Sequence, residues 1–446
     1  MQTSRDDPPW CPGCEAALIV DSEQALAVRL ALIAQARHSI LAQYYSWEED
    51  VSGNLLSGAL LAAARRGIRI RLLVDDLYSG SNRYLESLTA EPNIRVQIFN
   101  PFWLRLARPW GWPLELLFSF RRLNHRMHNK LLVVDDDAAV VGGRNIGDSY
   151  LGLSRELSFV DLDIVLRGSI CGELARDFMT YWRSRWSHPL HRLGWFCLPD
   201  DIATANNAFL LSLTEPEVAA LFGVAADLLA DRLPPLRWHS VSCRAVIDPP
   251  GKGARLRWHP SRAGRAMLIE LAGLQQQLDI VTPYLVPTRH LYRVLRRLTR
   301  KGVRCSVLTN SLASTDMPLA YAGFRQRRRR LLQTGIKMYE QRPTGGTCLH
   351  AKLAILDRQR VLIGSLNLDP RSFYLNTEIT LLIDSAALAQ EIETWLSERQ
   401  SAESAWVVAE QWGMTTWSGQ HPEPETTVWR RCWTWLASWL PVHHLL

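Results

Sequence analysis

Two hydrophobic periods alternate along this chain, one of about two residues and one of about 3.6 residues. Short apolar runs with β-branched residues predict strands, and longer stretches with apolar residues three and four positions apart predict helices. In the first half the predicted order is helix 22–37, strand 39–45, helix 55–66, strand 68–75 and strand 94–99. The second half repeats this order at 262–277, 278–282, 290–301, 303–310 and 336–340. The pattern therefore indicates one large internal duplication.

Alternation of strands and helices favours an α/β fold in which helices cover both faces of a mixed sheet. We expect two similar halves, residues 1–184 and 246–446, each with a mixed β-sheet flanked by helices. Residues 185–245 are expected to connect them and contain a predicted helix at 215–232. The halves should pack face to face around a pseudo-two-fold axis, which would place a shared site at their interface.

A short polar motif occurs once in each half. It consists of a histidine, a lysine two positions later, an aspartate seven positions after the histidine, and an asparagine ten positions after that aspartate. The residues are His128, Lys130, Asp135 and Asn145 in the first half, and His350, Lys352, Asp357 and Asn367 in the second. Two copies with equal spacing are very improbable by chance at ordinary residue frequencies.

The spacing assigns different places to the motif residues. We place each histidine and its lysine on a strand, where residues two apart project from the same face. Asp135 and Asp357 lie an odd number of positions from their histidines, at the predicted turn after each strand. We therefore interpret these members of the motif as structural groups that support the site and not as nucleophiles.

One imidazole, one ammonium and one amide from each half are the groups that a phosphodiester reaction needs. One histidine can attack phosphorus, while the other protonates the leaving oxygen and later deprotonates the acceptor hydroxyl. Lys130, Lys352, Asn145 and Asn367 can stabilise the negative charge that develops on the phosphoryl oxygens. This scheme requires no metal ion, and the sequence predicts no other cofactor.

An attacking histidine needs an acceptor that orients its second ring nitrogen. Glu378 is one candidate, and Asp161 or Asp163 is the other. Asp161 and Asp163 share a strand face, so parity does not choose between them. From distance along the sequence, we predict that Asp163 partners His128 and that Glu378 partners His350.

The duplicated motif resembles the signature of the phospholipase D superfamily. Further segments resemble its bacterial cardiolipin synthase branch, namely 41–47, 69–76, 99–102, 145–148, 283–284 and 309–316. The resemblance implies transfer of a phosphatidyl group from one phospholipid to the hydroxyl of another, commonly phosphatidylglycerol. It also implies that His128 is the nucleophile and His350 the acid and base, although the two motifs are symmetric on this point.

Two other functions compete with phosphatidyl transfer. Water could replace the acceptor alcohol, which would make the protein a phospholipase or a nuclease. A catalytically silent membrane-binding protein is disfavoured by the intact motif residues in both halves. Nucleic acid is not an expected partner, because the sequence shows no clear basic channel with stacking aromatic residues.

Composition adds a membrane surface to the expected partners. The chain has a net charge of +7 and 18 tryptophans, many of them within 101–120 and 429–439. Tryptophan and arginine together favour the membrane–water boundary. The arginine-rich stretch 325–330 is a solvated helix face, a contact with anionic membranes or headgroups, or a nucleic-acid contact. The C-terminal tryptophan segment could be a core helix packed on the second half, but our hypothesis is that residues 428–446 help membrane attachment.

The N-terminus is polar, and no apolar run approaches the 18–20 residues needed to cross a bilayer. We therefore expect a cytoplasmic enzyme bound peripherally to the inner membrane, with phospholipids as substrates. The sequence identifies no protein partner. Cys11 and Cys14 have motif spacing but lack the second pair that a zinc site needs, so no metal site is predicted there.

Overall fold

The computed structural model describes residues 8–79, 83–103, 115, 119–120, 122–193, 235–254, 260–411, 414–417 and 423–439. The helix predicted at 215–232 and most of the tryptophan-rich segment at 101–120 lie outside these residues. The fold is a mixed α/β arrangement in which the order of elements in the first half returns in the second.

The strands of the described residues are β1 (Cys11–Ile19), β2 (Ser39–Tyr44), β3 (Arg69–Asp75), β4 (Ile94–Phe99), β5 (Leu131–Val134), β6 (Ala138–Gly142), β7 (Ser158–Val160), β8 (Asp163–Arg167), β9 (Ser187–Pro189), β10 (Trp238–Ile247), β11 (Gln277–Val281), β12 (Arg304–Asn310), β13 (Lys337–Gln341), β14 (Thr347–Leu349), β15 (Leu353–Leu356), β16 (Arg360–Gly364), β17 (Ile379–Asp384), β18 (Ala405–Gln411) and β19 (Met414–Trp417). The α-helices are α1 (Ser22–Gln35), α2 (Val51–Arg65), α3 (Asp76–Ser79), α4 (Arg83–Leu88), α5 (Ser169–Trp182), α6 (Arg262–Ala272), α7 (Arg289–Arg300), α8 (Pro318–Leu332), α9 (Pro370–Tyr374), α10 (Ala386–Arg399) and α11 (Val428–Ser438).

Seventeen strands form one continuous sheet. Its spatial order is β9-β4-β3-β2-β5-β6-β8-β1 in the first half, followed by β10-β17-β16-β15-β11-β12-β13-β18-β19. The second series repeats the first in the opposite direction, with β19 added at its end. The antiparallel β1–β10 pair therefore lies at the pseudo-two-fold position and joins the two halves by backbone hydrogen bonds.

The strands alternate their side chains between two core regions. In β2, Ile40 and Ala42 pack in a cluster with α1 and α2, whereas Leu41 faces a second cluster that both halves share. That shared core contains α5, α10 and the inner faces of strands from each half. Helices α6, α7 and α8 cover the outer face of the second half. The shared apolar core holds the halves in fixed register, because burial of such surface stabilises by roughly 25 cal/mol per Å².

The repeated helix-to-strand turns are confirmed. Gly67 and Gly302 follow the last turns of α2 and α7 with φ of 89° and 84°, a left-handed conformation that favours glycine. The sequence did not predict β1 or β10, the strands that unite the two half-sheets. Within the segment expected to connect the halves, β9 pairs with β4 and β10 pairs with β1 and β17, so the division at 184 and 245 stays a prediction.

Candidate active site

The two histidine–lysine motifs lie immediately before strands β5 and β15 and not within them. At these positions the backbone pairs with the opposite half. The amide of His128 donates to the carbonyl of Thr377 at 3.0 Å, and the amide of His350 donates to the carbonyl of Val160 at 2.8 Å. Each motif therefore sits beside the segment of the other half that carries an acidic residue.

The acidic partners of the histidines are exchanged between the halves. The Nδ1 of His128 donates to Glu378 at 2.9 Å, and the Nδ1 of His350 donates to Asp161 at 2.5 Å. The predicted pairs, Asp163 with His128 and Glu378 with His350, are therefore wrong. Distance along the sequence misled the assignment, because the motif backbone pairs across the interface and not within its own half.

Asp163 has a different role in the structure. Its carboxylate lies 2.9 Å from the guanidinium of Arg29 and 3.3 Å from that of Arg144, and all three side chains are almost fully buried. Because arginine keeps its charge in a protein interior, Asp163 is the counter-ion that these two guanidinium groups share. It is a structural counter-ion beneath the site.

The strand registers show which acids are equivalent. Gly142 pairs with Asp163 in the first half, and Gly364 pairs with Thr380 in the second. Asp163 therefore corresponds to Thr380, and Asp161 corresponds to Glu378. Superposing the apolar runs 162–166 and 379–383 in the sequence would have revealed this equivalence.

Small residues before each asparagine make room for the acids. A side chain on Gly143 would collide with the Asp161 carboxylate. The second half has Ser365 at the corresponding position, and its hydroxyl donates to Glu378 at 2.5 Å. Ser372 donates to the other Glu378 oxygen at 2.7 Å. The sequence did not single out either serine, although together they hold Glu378 in a more hydrogen-bonded setting than Asp161.

The lysines and asparagines of both motifs are buried at the site. Lys130 donates to the carbonyl of His128 at 2.8 Å. The ammonium of Lys352 lies 2.7 Å from Nδ1 and 3.0 Å from Nε2 of His350. Asn145 accepts from the amide of Ser46 at 3.3 Å. The Asn367 oxygen accepts no hydrogen bond within the part of the chain that the structure describes.

The motif aspartates hold the backbone at the far ends of the motif strands. Asp135 accepts from the amides of residues 37–39 at 2.7–2.8 Å, and Asp357 accepts from those of residues 275–277 at 2.8–3.0 Å. These contacts fix the turns before β2 and β11. The geometry agrees with a structural role for both aspartates.

Burial and neighbouring positive charge lower the pKa of both imidazoles. Burial and then the charge of Lys130 place the pKa of His128 well below its ordinary value, and Lys352 and His350 of the opposite half lower it further. Burial and Lys352 also lower the pKa of His350, but Asp161 opposes this shift. Each histidine also contacts an acid of the other half, His128 through Glu378 and His350 through Asp161, so both motifs lie at the interface between the halves.

The pKa values of the two acids are shifted in opposite directions. Burial raises the pKa of Glu378 to about 7, against the opposing effects of Lys252 and Lys130. Burial alone would raise the pKa of Asp161 too, but Lys352 and His350 hold it below its ordinary value. Asp161 is therefore the more readily ionised of the two acids, and Glu378 is the more readily protonated.

The described residues hold no group of three or more histidine, cysteine, aspartate or glutamate side chains arranged to bind a metal ion. Cys11 and Cys14 are both buried in β1. None of the helices in the described ranges combines the length and apolar character needed to cross a membrane.

This chain is similar in sequence and in fold to known proteins. The family described as "Cardiolipin synthase, PLD-like domain" matches residues 30–182 and 267–400. Cardiolipin synthase C of Escherichia coli (strain K12) is 37% identical, over 95% of this chain and 94% of that protein. Cardiolipin synthase A of Pseudomonas entomophila (strain L48) is 28% identical, over 86% of this chain and 67% of that protein.

Among solved structures, phosphatidylserine synthase of Haemophilus influenzae Rd KW20 has a TM-score of 0.66 at 16% identity, covering 97% of this chain and 95% of that one. At this identity the likeness concerns the fold alone. The family match, in contrast, spans more than half of the sequence. The chain belongs to the family of cardiolipin synthases with a phospholipase D-like domain. It is an enzyme, a phosphatidyltransferase of the phospholipase D type.

Proposed function

We propose that this enzyme transfers a phosphatidyl group from one phospholipid to a hydroxyl of phosphatidylglycerol and so makes cardiolipin. The observation that carries the proposal is the pair of buried histidines, each oriented by an acid from the opposite half. The names of the two cardiolipin synthase relatives support cardiolipin as the product. Because both substrates are bilayer lipids, the proposed place of action is the cytoplasmic surface of the inner membrane.

In the first step, the Nε2 of His128 attacks the phosphorus of the donor. A phosphorus–nitrogen bond forms, the bond from phosphorus to the headgroup oxygen breaks, and protonated His350 gives its proton to the leaving alcohol. Lys130 and Lys352 stabilise the negative charge of the transition state, aided by the amides of Asn145 and Asn367.

In the second step, the hydroxyl of phosphatidylglycerol attacks the phosphohistidine. His350 removes the proton of that hydroxyl while the phosphorus–nitrogen bond to His128 breaks. His350 is thereby reprotonated and His128 is regenerated with its lone pair. Atoms and charge balance over the two steps, because the phosphorus–oxygen bond to the donor headgroup is replaced by a phosphorus–oxygen bond to the acceptor.

The environments favour these roles for the two histidines. A nucleophile must be neutral, and the pKa of His128 lies well below its ordinary value because of burial and Lys130. A general acid must carry a proton when the donor binds. Lys352 and His350 hold the pKa of Asp161 below its ordinary value, and this favours a carboxylate beside His350. The anionic phosphate of a bound lipid adds to this stabilisation of protonated His350.

Product analysis tests the proposed function. Purified enzyme is incubated with vesicles that contain labelled phosphatidylglycerol, with and without phosphatidylethanolamine, and the lipids are separated. We expect labelled cardiolipin and free glycerol from phosphatidylglycerol alone. Phosphatidic acid without cardiolipin would show hydrolysis instead, and cleavage of oligonucleotides without lipid turnover would show a nuclease.

The first chemical step should lose rate as the pH falls through about 7. Glu378 has a pKa of about 7, raised by burial. When ionised, it accepts from Nδ1 of His128 and leaves the Nε2 lone pair free to attack. When protonated, it donates to Nδ1, the ring proton moves to Nε2, and attack is blocked. We expect about a tenfold loss for each pH unit below this limb, measured as the burst of phosphohistidine in rapid quench.

Glu378→Gln should remove this limb and leave a slower rate that varies little between pH 5 and 8. Asp161→Asn is the matched control, because it alters the partner of the other histidine. With an activated substrate, its first-step rate should still fall as the pH drops below about 7. A limb that persists unchanged in Glu378→Gln would contradict the assignment of this titration to Glu378.

A further inference from the structure

Helix α11 (Val428–Ser438) turns its large apolar side chains outward. Trp429 is 80% exposed, Trp439 71% and Leu436 61%, and Trp433 and Trp435 are each nearly half exposed. These five residues form what we call the α11 tryptophan face. Apolar side chains this large and this close together rarely remain in contact with water on a soluble surface.

The opposite side of α11 is small and buried. Thr434, Ala437 and Ser438 are at most 8% exposed, and the helix packs on α8. Gln326 of α8 donates to the carbonyl of Ser438. The helix is therefore attached to the body through its small residues, which leaves the α11 tryptophan face free for an external surface.

Helix α11 is connected to the second motif through the loop that follows β12. Arg430 donates to the carbonyl of Thr315 at 2.5 Å, within the loop that follows β12. Asn310, at the start of this loop, donates to the carbonyl of Leu349 at 2.8 Å, and Leu349 immediately precedes His350. Met317 at the far end of the loop is also 42% exposed. The apolar face and the motif of the second half are thus linked through one loop.

Positive charge accompanies the apolar face. Of the arginines in 325–330, Arg325, Arg328 and Arg329 form ion pairs with glutamates. Arg327 and Arg330 of α8 and Arg430 and Arg431 of α11 have no carboxylate partner among the described residues. Arg430 and Arg431 donate to the backbone carbonyls of Thr315 and Thr426. Arg327 and Arg330 lie on α8, which packs against α11, and positive charge on a helix beside exposed tryptophans matches the chemistry of an anionic lipid headgroup layer.

We propose that the α11 tryptophan face binds the surface of an anionic phospholipid bilayer and holds the active site against it. The tryptophan rings lie at the headgroup level, and the arginines contact lipid phosphates. This docking gives the site access to lipid without requiring the substrate to leave the bilayer. Its purpose rests on the proposed phosphatidyl transfer, but the binding itself does not depend on catalysis.

Vesicle sedimentation of the full chain tests the docking. The variant Trp429→Gln/Trp433→Gln/Leu436→Gln changes only exposed positions of α11, so the fold should persist, as checked by circular dichroism and thermal unfolding. We expect its binding to vesicles of phosphatidylglycerol and phosphatidylcholine to fall by about a hundredfold, since three large side chains no longer leave water. Ile269→Gln, at a 45% exposed position on α6, is the control and should bind like the wild type.

The charge requirement has its own measurement. Vesicles of pure phosphatidylcholine should bind the wild type much more weakly than those with phosphatidylglycerol, and Arg327→Gln/Arg330→Gln should narrow that difference. Unchanged vesicle binding by the folded tryptophan variant would overturn the proposal. So would a wild-type dimer that the substitutions dissociate while vesicle binding stays the same, because the face would then belong to a second copy of the chain.

Two further measurements distinguish membrane docking from catalysis. The tryptophan variant should turn over monomeric short-chain phosphatidylglycerol at the wild-type rate but lose most activity on vesicles. His128→Ala should bind vesicles normally although it is inactive. If the proposed transfer is wrong but docking is right, the vesicle-binding results persist and only the products differ.

Discussion

His128→Ala is expected to abolish phosphatidyl transfer and also the cleavage of a phosphodiester with a nitrophenol leaving group. His350→Ala is expected to abolish transfer to phosphatidylglycerol yet to release one equivalent of nitrophenol in a burst. The difference arises because nitrophenolate leaves without a proton, so the first step can proceed without a general acid. It cannot proceed without a nucleophile.

The expected magnitudes follow from these roles. Loss of general acid and base help costs about 10²–10⁴-fold with a natural alcohol leaving group. Loss of the attacking imidazole removes the covalent route entirely. Rapid quench with labelled substrate should trap phosphohistidine in His350→Ala and none in His128→Ala. The reverse distribution would assign the nucleophile to His350, and the symmetric geometry of the motifs makes this the informative alternative.

Asp163→Asn is expected to lower the free energy of unfolding by about 3–5 kcal/mol, because it leaves Arg29 and Arg144 buried without their counter-ion. Both guanidinium groups keep their charge, so the protein cannot relieve the imbalance by releasing a proton. Denaturant unfolding measures the loss. The folded variant should keep an active-site chemistry close to that of the wild type.

Asp161→Asn, two positions away in the sequence, is the matched variant with the opposite outcome. We expect activity to fall by about 10²–10⁴-fold, because His350 loses the carboxylate that fixes its tautomer and supports its charge. The stability loss should be smaller than for Asp163→Asn, since the neighbouring Lys352 can become neutral: burial already lowers its pKa. The exchanged pairing would be contradicted if Asp163→Asn were less active than Asp161→Asn while it remained as stable as the wild type.

The sequence predicted the layered order of each half because local periodicity encodes it. The strand at Ser39–Tyr44 and the strand at Ile94–Phe99 lie within one residue of the predicted bounds. The sequence pattern did not predict strands β1 and β10. The first carries a proline and a glycine near its start, and the second alternates polar and apolar residues over a segment interpreted as a connection. Their pairing is a long-range contact that no local pattern records.

The pairing of each acid with its histidine was predicted wrongly for a similar reason. Parity did not distinguish Asp161 from Asp163, but in the structure Asp161 contacts His350 and Asp163 contacts Arg29. The choice depends on how the backbone around residues 158–160 pairs with residues 347–349 of the other half. Such a pairing involves residues almost 190 positions apart.

Residue types and their spacing along the chain were enough to predict the duplication, the motif residues and the chemistry that an imidazole, an ammonium and an amide can perform. Only the tertiary structure decided which carboxylate orients which histidine, how far burial and the opposite motif shift their pKa values, and which side of α11 faces outward. Each of these results from groups that meet across the two halves or across packed helices, where distance in space is unrelated to distance along the chain.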